Sequence, residues 1–92
     1  MLLGSKTHTV GDTRRWIVDY SRWLDNTATI KSVAVSSSSI TCTTDAGQVK
    51  GQEIIFNVMG GTLGETCTVT LTMTDSFNNV KKDTIKFTVV AP

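Results

Sequence analysis

The sequence has few of the residues from which catalytic and metal sites are built. Its 92 residues include one histidine, His8, and two cysteines, Cys42 and Cys67. A serine nucleophile needs a histidine base and an orienting acid, and a tetrahedral zinc site needs four ligands. Nothing near His8 in the sequence would hold it, and the cysteines lack a Cys-x-x-Cys spacing. We therefore predict no catalytic residue, no metal site and no cofactor, and we predict that the protein is not an enzyme.

Phosphate-binding and membrane-spanning segments are also missing. The glycine-rich run Gly60–Gly64 has no Lys-Ser/Thr after it and opens no helix, so it predicts a tight turn rather than a phosphate loop. No apolar run approaches the roughly 20 residues of a spanning helix. No basic segment followed by an apolar stretch stands at the start, so we predict no signal peptide and synthesis in the cytosol.

The charge of the chain bears on the kind of partner it binds. The formal net charge is +1, and the basic doublets Arg14-Arg15 and Lys81-Lys82 each lie near an aspartate. A protein that binds phosphates usually carries a basic patch, so we predict no nucleic-acid partner.

The spacing of Cys42 and Cys67 does not forbid a disulfide. Without a signal peptide, however, the compartment favours buried free thiols.

A strict alternation fills the last third of the chain. Threonine alternates with apolar residues over Thr66–Thr74, and a similar pattern recurs over Thr84–Val89. A period of two puts the apolar residues on one face of a strand. The short polar segment Ser76–Asn79 joins the two runs, which predicts a β-hairpin with Leu71 and Phe87 facing the core. Because that face must be covered, the hairpin predicts a β-sandwich.

Shorter strand candidates precede the hairpin and complete the predicted domain. They span Arg15–Tyr20, Thr29–Ser36, Ile40–Thr44 and Glu53–Met59. About six to seven antiparallel strands in about 100 residues are typical of immunoglobulin-like domains. We therefore predict an all-β, immunoglobulin-like β-sandwich over residues 14–92. Residues 1–13 show no periodicity, and we expect a flexible arm that a neighbouring subunit fixes on assembly.

Three aromatic residues crowd one short segment. Trp16 and Tyr20 share a face of the first strand candidate, and Trp23 follows in a predicted turn over Ser21–Asp25. One interpretation is a partner-binding patch, since such residues dominate binding hot spots. The other is core packing, because a small sandwich normally buries a tryptophan. A split, with one tryptophan buried and one exposed, combines the two. We take Trp16, Tyr20 and Trp23 as candidate partner-binding residues.

Several segments of the chain resemble a known family. The stretch Trp16–Leu24 resembles the opening of a family of small phage virion proteins, and the resemblance continues through Asp25–Ile30 and Gly60–Thr70. These proteins are described as fibre–tail adaptor or small tail-fibre-associated proteins with an immunoglobulin-like fold. The resemblance spans residues 14–90. Here Cys67 replaces the usual aromatic residue, and Asn78-Asn79 replaces the hairpin glycine, a change that asparagine tolerates in the left-handed conformation.

The resemblance implies a structural protein of a bacteriophage particle, and the leading hypothesis is an adaptor that joins tail fibres to the tail. It implies other virion proteins as partners, namely tail tube or adaptor and fibre proteins, in a multi-copy symmetric assembly without nucleic acid or membrane. The implied location is the virion tail, after synthesis in the host cytoplasm. A capsid decoration or cement protein on the capsid surface is one alternative. A carbohydrate-binding or adhesion module, with Trp16, Tyr20 and Trp23 as its platforms, is another.

Overall fold

The protein folds into β-strands joined by turns. The structure, a computed structural model, describes residues 2–24 and 27–92. Asp25, the last residue of the predicted turn over Ser21–Asp25, therefore lies outside the described part, as does Asn26. The described residues form eight strands: β1 (Leu2–Thr9), β2 (Thr13–Asp19), β3 (Ile30–Ser37), β4 (Cys42–Thr44), β5 (Gln48–Lys50), β6 (Glu53–Gly60), β7 (Thr66–Asp75) and β8 (Val80–Val90). None of the described segments is a helix that could span a membrane.

Two sheets enclose one core. Sheet A has the strand order β1-β8-β7-β3, and in sheet B strand β6 lies between β2 on one side and β4 and β5 on the other. The side chains that β6, β7 and β8 turn inward are buried: they are Ile54, Phe56, Val58, Cys67, Val69, Leu71, Met73, Ile85, Phe87 and Val89. Burying one large apolar side chain contributes about 1.5–3 kcal/mol, so these three strands supply most of the hydrophobic stabilisation. The all-β, two-sheet prediction is confirmed, and the narrower immunoglobulin-like assignment stays a prediction.

The C-terminal hairpin forms as its alternation predicts. Strands β7 and β8 pair antiparallel, with Thr70 opposite Thr84. Leu71 and Phe87 are fully buried, which confirms the inward face. The turn contains Asn78 at a φ of 66°, the left-handed conformation expected there. Local alternation and turn chemistry therefore agree with the tertiary structure in this region.

The first strand lies within residues 1–13, for which we expected a flexible arm. Leu2–Thr9 forms β1 at the edge of sheet A, where it runs parallel to β8, with Lys6 opposite Phe87 and His8 opposite Val89. Within β1 only His8 is buried, so no apolar alternation reveals the strand in the sequence. Main-chain pairing with β8 places the segment in the sheet, and its parallel direction also departs from the all-antiparallel arrangement that we expected.

Two further segments add detail that the sequence did not predict. Strand β5 was not expected, because the strand is short and its three residues are all exposed. The segment after Tyr20 forms the predicted turn, in which the backbone N–H groups of Trp23 and Leu24 each donate to the Tyr20 carbonyl at 3.0 Å. Leu24 is buried and closes that end of the core, whereas Trp23 remains exposed.

The domain is a rod of 43 × 20 × 20 Å. At one end, which we name the Trp23 end, the turn at residues 76–79 contacts Thr29 and the turn at Gln52 contacts Ala28 through hydrogen bonds. At the other, which we name the Ile40 end, the loop at Gly60–Glu65 contacts Thr41. The long strands run between these ends, so the core separates two sets of loops.

Candidate docking surfaces

The three aromatic candidates do not form one surface patch. Tyr20 is only 3% exposed and Trp16 is half-buried, because Trp16 in β2 and Tyr20, the residue after β2, both point toward the core. Trp23 lies in the turn beyond β2 and is 43% exposed. The structure therefore separates the three residues, and Trp23 alone among them offers a large part of its surface to a partner.

Tyr20 links the two sheets through a buried carboxylate. Its hydroxyl donates to Oδ2 of Asp83 at 2.9 Å, and Oδ1 of Asp83 lies 3.1 Å from Nζ of Lys81. Burial, together with the hydrogen bond to this carboxylate, raises the pKa of Tyr20 far above its usual value, so the phenol stays a donor. Sequence reasoning missed Asp83. The clue was its place in the inward-facing series Asp83, Ile85, Phe87 of β8.

Trp16 packs from β2 onto the core. Its ring meets Phe87 edge-on, with centroids 5.3 Å apart and planes at 64°. The guanidinium carbon of Arg14 lies 5.0 Å from the ring centroid on β2, a cation–π distance. The indole Nε1–H is buried and has no hydrogen-bond acceptor among the described residues. Trp16 therefore serves packing, and it retains one unused donor.

A groove lies along the two edge strands β1 and β2. It has a volume of about 280 Å³. Its lining is mostly apolar and consists of Leu3, Gly4, Lys6, Trp16, Ile17, Val18, Asp19 and Ile85. The carboxylate of Asp19 accepts the backbone N–H of Ser21 at 2.8 Å. We name this feature the edge groove, and Trp16 is one of the residues that line it.

The Trp23 end carries exposed apolar side chains. Phe77 and Val80 are each more than half exposed. Phe77 and Trp23 lie in turns at this end, and Val80 is the first residue of β8. The ammonium group of Lys81 lies 5.5 Å from the centroid of the Trp23 ring. Aromatic residues in such positions are typical of binding hot spots. This end therefore offers two aromatic side chains and one aliphatic side chain to a neighbour.

A hydrogen-bonded turn presents Phe77. Oδ1 of Asp75 accepts the backbone N–H groups of Phe77 and Asn79 at 2.9 and 2.8 Å, and Oδ2 accepts from the Asn79 side chain at 3.1 Å. Burial opposes the charge on Asp75, but these hydrogen bonds together outweigh it and hold the pKa below its usual value. The backbone N–H of Ser76 donates to the Thr29 carbonyl at 2.8 Å. Phe77 thus stands on a constrained turn.

The Ile40 end presents two exposed apolar side chains, Ile40 and Leu63, which lie in different loops. Ile40 is 96% exposed in the turn between β3 and β4. Its neighbour Ser39 accepts the backbone N–H groups of Thr41 and Cys42 on its hydroxyl oxygen, each at 3.1 Å. The Ser39 hydroxyl in turn donates to Oε2 of Glu65 at 2.9 Å. These contacts hold the backbone on both sides of Ile40, and we name Ser39–Thr41 the Ile40 tip.

Glu65 connects the Ile40 tip to the loop after β6. Its Oε1 accepts the backbone N–H of Thr62 and the hydroxyl of Thr41, both at 2.8 Å. The hydrogen bond from Thr62 is the main cause that lowers the pKa of Glu65, and the Thr41 hydroxyl adds to it. Gly61 N–H donates to the Thr41 carbonyl at 3.0 Å, and a Cβ on Gly60 would lie 2.6 Å from that oxygen. The predicted tight turn is confirmed, and its glycines allow this close approach.

The outer faces of the two sheets differ in chemistry. On sheet A the outward residues of β7 and β8 are hydroxyls and lysines, chiefly Thr66, Thr68, Thr70, Thr72, Thr74, Lys82, Thr84, Lys86 and Thr88. On sheet B, Ile17 pairs with Ile55 and Thr13 pairs with Met59. Arg15 and Glu53 also lie on this outer face. Sheet B therefore carries an apolar centre with a charged border, the arrangement of a protein interface.

The buried cysteines belong to the core. Cys42 and Cys67 are free and buried, as predicted. The hydroxyl of Ser37 donates to the Cys42 carbonyl at 2.6 Å and lies 2.8 Å from Sγ of Cys67. Burial, with the neighbouring Cys67, raises the pKa of Cys42 to about 12, so its thiol is a poor nucleophile. Within residues 2–24 and 27–92, no group of three or more His, Cys, Asp or Glu residues could hold a metal ion.

These features define a small all-β structural module with exposed apolar groups at its ends and along one edge. Residues 8–88 match the family described as Podophage GP4 fiber-tail adaptor protein gp77, and the chain belongs to that family. The search of curated proteins found no match. The resemblance described from the sequence is thereby confirmed, and the family gives the protein a structural adaptor role in a phage particle, with other virion proteins as partners.

Proposed function

We propose that the protein joins tail fibres to the tail of a podophage particle as a rigid spacer. The family match over residues 8–88 carries this proposal. An adaptor has to hold two different neighbours at once, so it needs separate docking regions on a body that does not deform. The 43 Å rod, with loop surfaces at both ends and a common core, meets that requirement.

The Trp23 end is the first docking region. Trp23, Phe77 and Val80 would enter apolar pockets on one neighbour. Because hydrogen bonds already hold the turn around Phe77, docking sacrifices little conformational entropy there, and preorganisation of this kind strengthens binding. This role uses Trp23 as the partner-binding residue, while Trp16 and Tyr20 support the scaffold behind it.

The outer face of sheet B is the second docking region. Ile55 and Met59 form its apolar centre, and Arg15 and Glu53 lie beside them. Charges of both signs around an apolar centre favour one orientation of a partner over others. Contact of the two regions with a fibre and with the tail would fix the angle between them, since both regions belong to one rigid body.

Several copies around the tail would strengthen attachment. When one contact is made, the remaining contacts become intramolecular, and avidity exceeds the affinity of any single contact. The protein would be made in the host cytoplasm and take its place in the tail during assembly. Modest individual interfaces are then sufficient.

Two other functions would place different demands on the same fold. A capsid decoration or cement protein would bind heads that lack tails. A carbohydrate-binding or adhesion module would need exposed aromatic platforms. Tyr20 is buried and Trp16 is half-buried, which leaves Trp23 as the one platform of the three candidates. The adaptor role requires neither feature.

Complementation of particles that lack the protein tests the adaptor role. Trp23→Asp is compared with Leu63→Asp, which alters an exposed side chain at the opposite end, and the copies of this chain and of fibre protein per particle are counted by quantitative mass spectrometry. Loss of a hot-spot residue weakens binding by about 2 kcal/mol or more, roughly thirtyfold. We expect Trp23→Asp to deplete fibres while the melting temperature stays unchanged. Normal fibre content in both variants would contradict docking through the Trp23 end, and chain bound to tail-less heads would favour decoration.

A further inference from the structure

We infer that the Ile40 tip of one copy inserts into the edge groove of a second copy. This inference deepens the multi-copy part of the proposed function and rests on it, because it names the contact by which adaptors would meet one another. It is carried by two kinds of complementarity between the tip and the groove: apolar shape and charge.

The apolar match joins a projecting side chain to a preformed recess. Ile40 is 96% exposed, and the hydrogen bonds of Ser39 and Glu65 hold the backbone beside it. The edge groove of about 280 Å³ has room for one branched aliphatic side chain, and Leu3 and Trp16 are among its walls. Neither surface has to rearrange, so transfer of Ile40 out of water is not offset by a large loss of conformational entropy.

Charge orients the contact. Lys6 is one of the residues that line the groove, and its ammonium group makes no ion pair with any described residue. Glu65 brings a carboxylate to the base of the Ile40 tip. Asp19, the acidic residue of the groove, is already engaged by the Ser21 N–H and lies near Arg22. The tip is therefore acidic where the groove offers a free cation.

The geometry of this contact gives a repeating assembly. The tip and the groove are different surfaces, so each copy can donate one tip and accept another, and the contact repeats around a closed ring or along a row. The Trp23 end takes no part in it and stays available to a fibre or to the tail. One set of contacts would then join the copies to one another, and a second set would attach them to a fibre or to the tail.

Cysteine cross-linking of the full chain tests the inference. Equal amounts of Ile40→Cys and Leu3→Cys proteins are mixed, oxidised briefly and separated without reductant. The native thiols are buried, so they do not compete. Leu63→Cys, at the same end and 61% exposed, replaces Ile40→Cys in the matched control. We expect at least about tenfold more mixed dimer with Ile40→Cys, the ratio that 1.4 kcal/mol produces. Equal yields would overturn the inference.

Sedimentation at high protein concentration provides the second measurement. Ile40→Asp should abolish self-association of the purified chain, Leu63→Asp should retain it, and the melting temperatures of both should match that of the wild type. If Ile40→Asp depletes fibres from particles but leaves sedimentation unchanged, the tip binds a different virion protein and the inference falls, while the adaptor role stands. If the cross-link forms but particles keep their fibres with every Trp23 variant, the self-contact stands and docking through the Trp23 end falls.

Discussion

Strand β8 has two neighbours that are held to it in different ways. Both β1 and β7 pair with β8 along the main chain. Strand β7 also buries five side chains, from Cys67 to Asp75, whereas β1 buries His8 alone. Main-chain pairing is thus common to both, and side-chain burial distinguishes them. The comparison teaches that one sheet can contain a strand fixed by the core and a strand of low local stability at its edge.

The largest decrease in stability should follow truncation of a core side chain where β8 packs beside β7. Phe87 is fully buried and contacts Trp16, so Phe87→Ala should lower the free energy of unfolding by about 3–5 kcal/mol. Urea denaturation measures the change, with the exposed neighbour Thr88→Ala as the control. A Phe87→Ala protein that melts within a few degrees of the wild type would show that the wrong face of β8 has been placed inward.

Removal of the Tyr20 hydroxyl should have an intermediate effect. The hydroxyl ties the end of β2 to Asp83 of β8, and Tyr20→Phe leaves that buried carboxylate with one partner fewer. Loss of one partner of a buried polar group typically costs about 1–3 kcal/mol. Trp23→Phe, which changes an exposed ring nearby, should leave the unfolding midpoint unchanged. Equal midpoints for the two variants would show that the link between the sheets adds little.

Hydrogen exchange compares the two neighbours of β8 directly. We expect the amides of β1 to exchange faster than those of β7, because opening β1 exposes one buried side chain rather than five. His8→Ala should accelerate exchange in β1 and leave β7 unchanged, whereas Thr7→Ala should change neither. If both strands exchange at the same slow rate, β1 and β7 do not differ in local stability, and residues 1–13 are not a flexible arm. Fast exchange confined to β1 would support the flexible arm, in the form of a strand that detaches from the sheet.

The smallest predicted effect is the pH dependence that Asp75, in the hairpin turn, gives to the free energy of unfolding. The lowered pKa of Asp75 means that the folded state favours the carboxylate, so its contribution is present above the unfolded pKa of about 3.9 and is lost as the pH falls through the lower folded pKa. We expect Asp75→Asn to flatten the dependence of unfolding free energy on pH between about pH 5 and pH 2. Parallel curves for wild type and variant would show that the turn does not depend on the charge.

The strands that the sequence predicts are those that bury alternate side chains. Val69, Leu71 and Met73 mark β7 because burial selects apolar residues at every second position. Strands β1 and β5 do not show this pattern, since they bury one residue and none. Their place in the sheets depends on main-chain hydrogen bonds to distant strands, and such pairing makes little demand on residue type.

The docking surfaces were predictable only in part. The alternation in β2 correctly placed Trp16 and Tyr20 on one face, but which face the core would cover depended on the strands packed against it. Ile40 was expected to begin a strand, yet the strand begins at Cys42 and leaves Ile40 in the preceding turn. The exposure of a loop residue depends on contacts made by other loops, here through Glu65, and no local pattern encodes it.

The parallel pairing of β1 with β8 also determines when β1 can join its sheet during synthesis of the chain. Seventy residues of chain separate Thr9 from Val80, and at about 5–20 residues per second a ribosome needs several seconds to make them. Throughout that interval the first strand has no template on which to form. A nascent chain therefore carries an unpaired β-segment until synthesis of the last strand, and its sparse apolar content limits aggregation while it waits. Closure of the domain becomes the final event of its biogenesis, so a chain truncated before β8 would display a free strand rather than a finished adaptor.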